Sequence, residues 1–281
     1  MPKPALTVAS LIHDPELGEA VSRWLSGQQR YRLLAADPAA DPVAELERLH
    51  DRCDAVLLQE GQFSSDVITA LQQRGLLLPA VLIGEVSGQM EYHQDEVHLP
   101  ADQLEQLTYS LDAAVTRFIS RIPTAADQTS AEVADAAASE RWRLANRLQA
   151  RPGLLGVFYK RDPSRFLRNL PPDEAGRLLL SLERSYRDLL LSYFRDPPAA
   201  NQALENFVNT AFFSDLPVTR TVEIHLNLID VFGKQLKLEG HKVEFLQDYR
   251  LALLDVMAHL CEMYRRSIPP DAPIVEPSQM A

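Results

Sequence analysis

The chain has 281 residues, 46% of them hydrophobic and 24% charged, which is ordinary for a globular protein and long enough for two modest domains. No apolar run reaches the roughly 18 residues that a transmembrane helix needs, and a net charge of -11 argues against general nucleic-acid binding. Two widely separated cysteines, Cys53 and Cys261, fit reduced thiols, and the Met1-Pro2-Lys3-Pro4 start has no apolar signal core, so the expected location is the cytoplasm.

Leu6 to Ile12 reads as a short buried strand. Asp14 is placed to cap a helix over Pro15 to Leu25, with proline at the first helical position. A weak strand is predicted over Tyr31 to Ala35 and a helix over Pro42 to His50. Asp54 to Gln59 reads as a strong strand, and Ser65 to Arg74 as a helix ended by Gly75. Leu78 to Gly84 and Glu96 to Leu99 read as two further strands. A long amphipathic helix is predicted over Ala101 to Ile122. Alternating strands and helices are the signature of a doubly wound parallel sheet, here of flavodoxin-like order, and residues 1–122 form that domain. The segment Gly84 to Gln94 carries no helical pattern, so the fourth helix of this plan is expected to be missing.

Pro123 to Ser139 is rich in Ala, Ser, Thr and acidic residues and reads as a flexible linker. A basic helix follows at Glu140 to Ala150, then an extended segment at Leu154 to Tyr159 and a turn at Lys160 to Pro163. Residues 123–168 are thus the inter-domain segment. The pattern then becomes helix only, over Pro172 to Arg195, Ala199 to Phe213, Pro217 to Glu239 and Val243 to Ser267. Each boundary carries Pro or Gly, and short connections favour antiparallel neighbours. Residues 169–270 are therefore expected to form a four-helix bundle, and 271–281, rich in proline, a disordered tail. The apolar residues of the last helix exceed the stripe of about 100° that one contact uses, so a twofold homodimer is expected to bury the surplus.

Charge divides the chain the same way. Residues 1–140 carry 9 Lys/Arg against 22 Asp/Glu, whereas residues 141–267 carry 19 against 15. The basic stretch Arg141 to Arg168 is expected to be a solvated segment that docks on an acidic surface.

Catalytic patterns are absent from the sequence. A phosphate-accepting receiver needs an Asp at the end of its third strand, a hydroxyl after the fourth and a Lys after the fifth. Here those places read Leu58-Gln59-Glu60, Ile83-Gly84-Glu85 and His98-Leu99-Pro100, so the domain reads as a pseudo-receiver and not an enzyme. His259 and Cys261 stand two apart on a helix, about 200° around it, and do not converge on a metal. They read as an interface histidine and a buried thiol. A phosphorelay receiver with a helical output domain is the alternative.

Three long runs carry a resemblance: GVFYKRDPSRFLRNLP from Gly156 to Pro171, NFVNTAFFSDLPVTRTVEIH from Asn206 to His225, and AHLCEMYRRSIP from Ala258 to Pro269. They closely resemble the KaiA family of cyanobacterial circadian clock proteins. In the first half QLEQL, Gln103 to Leu107, is the best anchor. The resemblance implies a domain-swapped homodimer whose bundles bind the C-terminal tail of the ATPase and kinase KaiC and stimulate its autophosphorylation. It implies sequestration by KaiB bound on KaiC. It implies no required cofactor, an N-terminal input domain that senses oxidised quinones, and a sensor histidine kinase among the partners. The matching bundle positions give the partner-binding and dimer-interface candidates Lys237, Glu239, Asp255, His259, Cys261 and Arg265, with Cys261 expected to pack. Arg143, Arg147 and Arg151 are the expected regulatory residues of the inter-domain segment.

Overall fold

The computed structural model describes residues 6–28, 30–36, 41–85, 87–120, 161–240 and 243–268. The basic helix, the extended segment, the tail and the regulatory arginines Arg143, Arg147 and Arg151 lie outside them.

The first unit is a five-stranded parallel sheet in the order β2-β1-β3-β4-β5. Its strands are β1 Leu6–Ser10, β2 Tyr31–Ala35, β3 Ala55–Gln59, β4 Ala80–Gly84 and β5 Val97–Pro100. Val56 faces Ala80 and Val81 faces Val97 across the ladder. The central strands read as continuous apolar runs because helices cover both faces. These helices are α1 Pro15–Ser26, α2 Pro42–Leu49, α3 Ser65–Gln73 and α4 Leu107–Ser120. The Asp14 carboxylate accepts from Glu16 N–H at 2.9 Å, as its place before Pro15 predicts. Gly75 closes α3 with φ +67°, a backbone region that glycine enters without a Cβ clash.

No helix stands among the described residues between β4 and β5. The carboxylate of Glu96 organises that loop instead. It accepts from Glu91 N–H at 2.8 Å, Tyr92 N–H at 2.7 Å and His93 N–H at 2.9 Å, and it meets His98 Nε2 at 2.9 Å. Burial alone would raise this carboxyl, but the His98 contact and the backbone donors outweigh it and hold it below its ordinary value.

The second unit comprises α5 Pro172–Ser192, α6 Pro197–Phe213, α7 Val218–Leu238 and α8 Arg250–Ser267. Its core joins Leu182, Tyr186 and Leu189 to Phe207 and Phe212, Ile224, Val256 and Leu260. The last helix starts later than its apolar pattern predicts. Glu244–Tyr249 is a 3-10 turn, and the α-helix begins at Arg250.

The predicted long amphipathic helix also differs. Leu104–Gln106 is a 3-10 turn, α4 begins at Leu107, and the helix is buried on nearly every side. The cause is tertiary: α4 packs on β3, β4 and β5 with one side and on α6 with the other. Its polar residues Ser110, Asp112 and Thr116 are buried as well. The two units of the chain therefore share a wall.

That wall has a polar centre. Gln106 Nε2 donates to Ser181 Oγ at 2.9 Å and Ser185 Oγ at 2.6 Å, and Thr210 Oγ1 donates to Gln106 Oε1 at 2.7 Å. Gln103 accepts from Ser185 Oγ at 2.5 Å and donates to Asp188 at 2.8 Å. Gly88 adds a close approach. Its N–H donates to Gln202 Oε1 at 2.7 Å, and at φ +76° a Cβ there would stand 2.5 Å from the Pro198 side chain.

Candidate partner-binding surface

The bundle has a face that none of the other described residues covers. Along α8 only Ala252, Val256 and Leu260 are fully buried. One turn of helix advances 3.6 residues, so Leu251, Leu254, Asp255, Ala258, Cys261 and Arg265 fall on the opposite, outward arc. Leu254 is 61% exposed and Leu238, at the end of α7, 84%. Val231 lies on the same side of α7 as Leu238, and Leu226 is exposed on another side of that helix. Single exposed leucines are ordinary, whereas several exposed on two adjacent helices make this side of the bundle the candidate surface.

The six predicted residues all lie at the surface of α7 and α8, but they form no single cluster. Lys237 and Glu239 sit at the C-terminal end of α7, where the Gln235 side-chain amide donates to Glu239. Arg265 lies fifteen residues beyond the start of α8, about 22 Å along its axis. Between them, the Asp255 carboxylate accepts from the hydroxyl of Tyr193, just past the end of α5, and His259 Nδ1 lies 2.8 Å from the Asp255 carbonyl oxygen. Arg265 donates twice to Glu262, at 2.7 and 2.6 Å, and Arg266 once at 2.6 Å. These two guanidiniums hold the Glu262 carboxyl down at about 2. Cys261 is exposed in this chain, contrary to the expectation that it packs. It lies on the arc of α8 opposite Ala252, Val256 and Leu260, so packing it requires a surface other than the described residues.

At the C-terminal ends of the strands, Asp14, Gln59, Glu60, Gly84, Glu85 and Asp102 line an open depression. This is where a receiver accepts phosphate, and the arrangement differs from that chemistry. Gln59, an amide, stands where the acceptor carboxylate belongs, and its Oε1 accepts from Asp14 N–H at 3.1 Å. The Glu60 side chain fills the space above Gly84 and accepts from Glu85 N–H. Among the described residues no group of three or more His, Cys, Asp or Glu side chains is placed to hold a metal ion.

Two family models account for nearly all of the chain. "Circadian clock protein KaiA, N-terminal domain" matches residues 6–123, and "KaiA C-terminal domain" matches residues 150–271. The chain belongs to the KaiA family. A KaiA described as a circadian clock oscillator protein from Parasynechococcus marenigrum is 54% identical over 98% of this chain and 93% of its own length. The KaiA of Synechococcus elongatus is 44% identical over 85% of this chain and 89% of its own length. Among solved structures, the C-terminal domain of Thermosynechococcus elongatus BP-1 KaiA matches with 48% identity. It covers 36% of this chain and 94% of that one, with a TM-score of 0.32.

In this KaiA-family chain, sequence reasoning missed the contacts that seat the bundle on the sheet. Arg165 is the main one. Read as part of a solvated basic segment, it is instead buried between the two units. Its guanidinium pairs with Asp112, donates to Tyr31 Oη at 3.0 Å and lies 5.0 Å from the Tyr109 ring centre. Burial alone would lower this cation, but Asp112, Tyr31, Tyr109 and Asp162 outweigh it and raise it above its ordinary value. The signal that was available was the basic stretch expected to dock on an acidic surface, and Asp112, the one acidic residue of α4, is what Arg165 meets.

Proposed function

We propose that this chain binds the C-terminal tail of KaiC through a homodimer of its bundles and stimulates KaiC autophosphorylation, with no catalytic step of its own. The bare apolar face of α7 and α8 is the observation that supports this reading. A twofold pairing through Leu238, Leu251 and Leu254 would bury it, because a twofold interface sets the same patch against itself. The groove at such an interface suits an extended or partly helical peptide, with Asp255, His259 and Arg265 beside it. The activator then works by population shift. It binds one tail conformation better than the other, and the kinase equilibrium moves only by that difference in affinity.

KaiB bound on KaiC is the proposed sequestering partner, and the cytoplasm the proposed location. No helix among the described residues is long and apolar enough to cross a membrane. An oxidised quinone is the proposed input ligand, and a sensor histidine kinase a proposed upstream partner, both on the family resemblance. The basic segment is proposed to inhibit the same groove, so replacing Arg143, Arg147 and Arg151 by Ala should raise activation.

The test is a time course of KaiC phosphorylation with the full chain and with its Leu254→Asp variant. Stimulation by the first and not the second is expected. No stimulation by the unaltered chain sinks the reading. Equal stimulation by both removes the α8 face from it.

A further inference from the structure

Residues 161–168 are held from two sides. On one side the N-terminal unit grips them. Arg165 is sunk among Asp112, Tyr31 and Tyr109, and the Tyr109 hydroxyl donates to the Arg165 carbonyl at 2.9 Å. Arg30 donates to Asp162 at 3.2 Å and lies 3.4 Å from Asp112. On the other side the bundle grips them. Arg161 donates to Asp215 Oδ1 at 2.5 Å, and its guanidinium stands 5.2, 5.0 and 4.9 Å from the ring centres of Phe166, Phe212 and Tyr264. Leu167 N–H donates to the Ser214 carbonyl at 2.7 Å. Tyr264 belongs to α8, adjacent to Arg265.

The piece between the two grips is stiff. Pro163–Arg165 is a 3-10 turn with a proline at its start, capped by Asp162 through Ser164 N–H at 3.0 Å. Asn169 Nδ2 closes it on the Pro163 carbonyl at 2.6 Å. Proline fixes its own φ and the cap fixes the turn, so the segment has little freedom to absorb a displacement. The Asp215 carboxylate that holds Arg161 also sits in an uncommon backbone state, with φ +56° at the end of α6. Arg168 adds a second cation on it at 3.2 Å.

We propose that the Arg161–Arg165 turn is a mechanical coupler between the N-terminal unit and α8. The grip on Arg165 sets where Arg161 lies, and Arg161 in turn orders Tyr264 and the end of α8. A change in the N-terminal unit that loosens Asp112 or Tyr31 therefore reaches α8 without touching it. Arg161 and Arg165 are positioning residues here, for the face that carries Cys261 and Arg265. The functional meaning of the coupler rests on the reading of α8 as the partner-binding helix, but its mechanics do not.

The test is hydrogen–deuterium exchange of the full chain without KaiC, reading the amides of α8 around Tyr264 against those of α7. Arg165→Met is expected to speed exchange at the end of α8 on the order of fivefold, the low end of coupling between linked sites. Tyr31→Phe, which removes one hydroxyl from the grip, should act in the same direction by less. In an Arg161→Ala background neither should add anything, because the path is already cut. Unchanged α8 exchange in a folded Arg165→Met chain overturns the proposal. So does the same acceleration in both backgrounds, which means general loosening. Should Arg165→Met fail to fold, as judged by circular dichroism, Tyr31→Phe in the two backgrounds decides it. Loss of KaiC stimulation is measured separately, so the coupler and the proposed function fail independently.

Discussion

The two faces of the bundle are a contrast in how one helical unit can be finished. The α5–α6 face is covered by the chain's own sheet unit and sealed by a buried polar group of Gln103, Gln106, Ser181, Ser185 and Thr210. The α7–α8 face carries Leu238, Leu251 and Leu254 in the open among the described residues. Buried amides and hydroxyls must all find partners, so the first face accepts one geometry only. Exposed leucines make no such demand, and the second face accepts any complementary apolar surface. The chain thus specifies its internal contact by hydrogen bonds and leaves its external contact to area and shape.

The comparison can be broken hardest at the covered face. Asp112→Ala leaves the buried Arg165 without its main counter-charge, and removing one partner of such a pair costs about 3–5 kcal/mol. Urea unfolding of the full chain should show it as a large drop in midpoint. Gln106→Ala comes next. It strands the hydroxyls of Ser181 and Thr210, while Ser185 keeps Gln103, and a buried polar group left unsatisfied costs about 1–3 kcal/mol. A Gln106→Ala chain as stable as the parent would mean that water replaces the amide and that the wall is not dry.

At the bare face the same kind of change should barely register on the fold. Leu254→Asp is expected to alter the stability of the isolated chain by no more than about 0.5 kcal/mol. It should nevertheless move the sedimentation coefficient from dimer to monomer. A single species in both chains would mean that the leucines serve something other than self-association.

The smallest effect is expected inside the bundle. His225 Nδ1 lies 3.1 Å from the Tyr186 hydroxyl, and burial lowers the imidazole below its ordinary value. The folded chain therefore favours neutral His225. Its contribution is present above the unfolded histidine value and is lost as pH falls through it toward the folded one. The urea midpoint should decline between pH 7.5 and pH 5.5, and His225→Gln should flatten that slope. An unchanged slope would assign the pH dependence to other groups.

How much of this was legible follows from where each signal lives. Asp14 before Pro15, Gly75 after α3 and the prolines around α6 act on their own neighbours, so their positions in the sequence marked the helix ends directly. The apolar strands announced a parallel sheet for the same reason. Gln59 in place of an acceptor carboxylate also needed no structure to be noticed. By contrast, QLEQL was visible only as a point of resemblance, inside a stretch read as a long amphipathic helix. The bundle turns its glutamines into the hub of a buried wall. Arg165 looked solvated, and Cys261 looked buried, because periodicity reports which residues share a side and not what that side meets.

By itself, then, the sequence determined the local elements, the order of the sheet, the helical second unit and the family. Each of those depends on spacing, caps and residue type within a short stretch of chain. Only the tertiary structure decided that α4 is walled in on both sides, that Arg165 is a buried anchor, and that the other described residues leave a face of α7 and α8 bare. Those outcomes depend on residues 50 or more positions apart, such as Asp112 and Arg165 or Gln106 and Thr210, whose meeting no local pattern encodes.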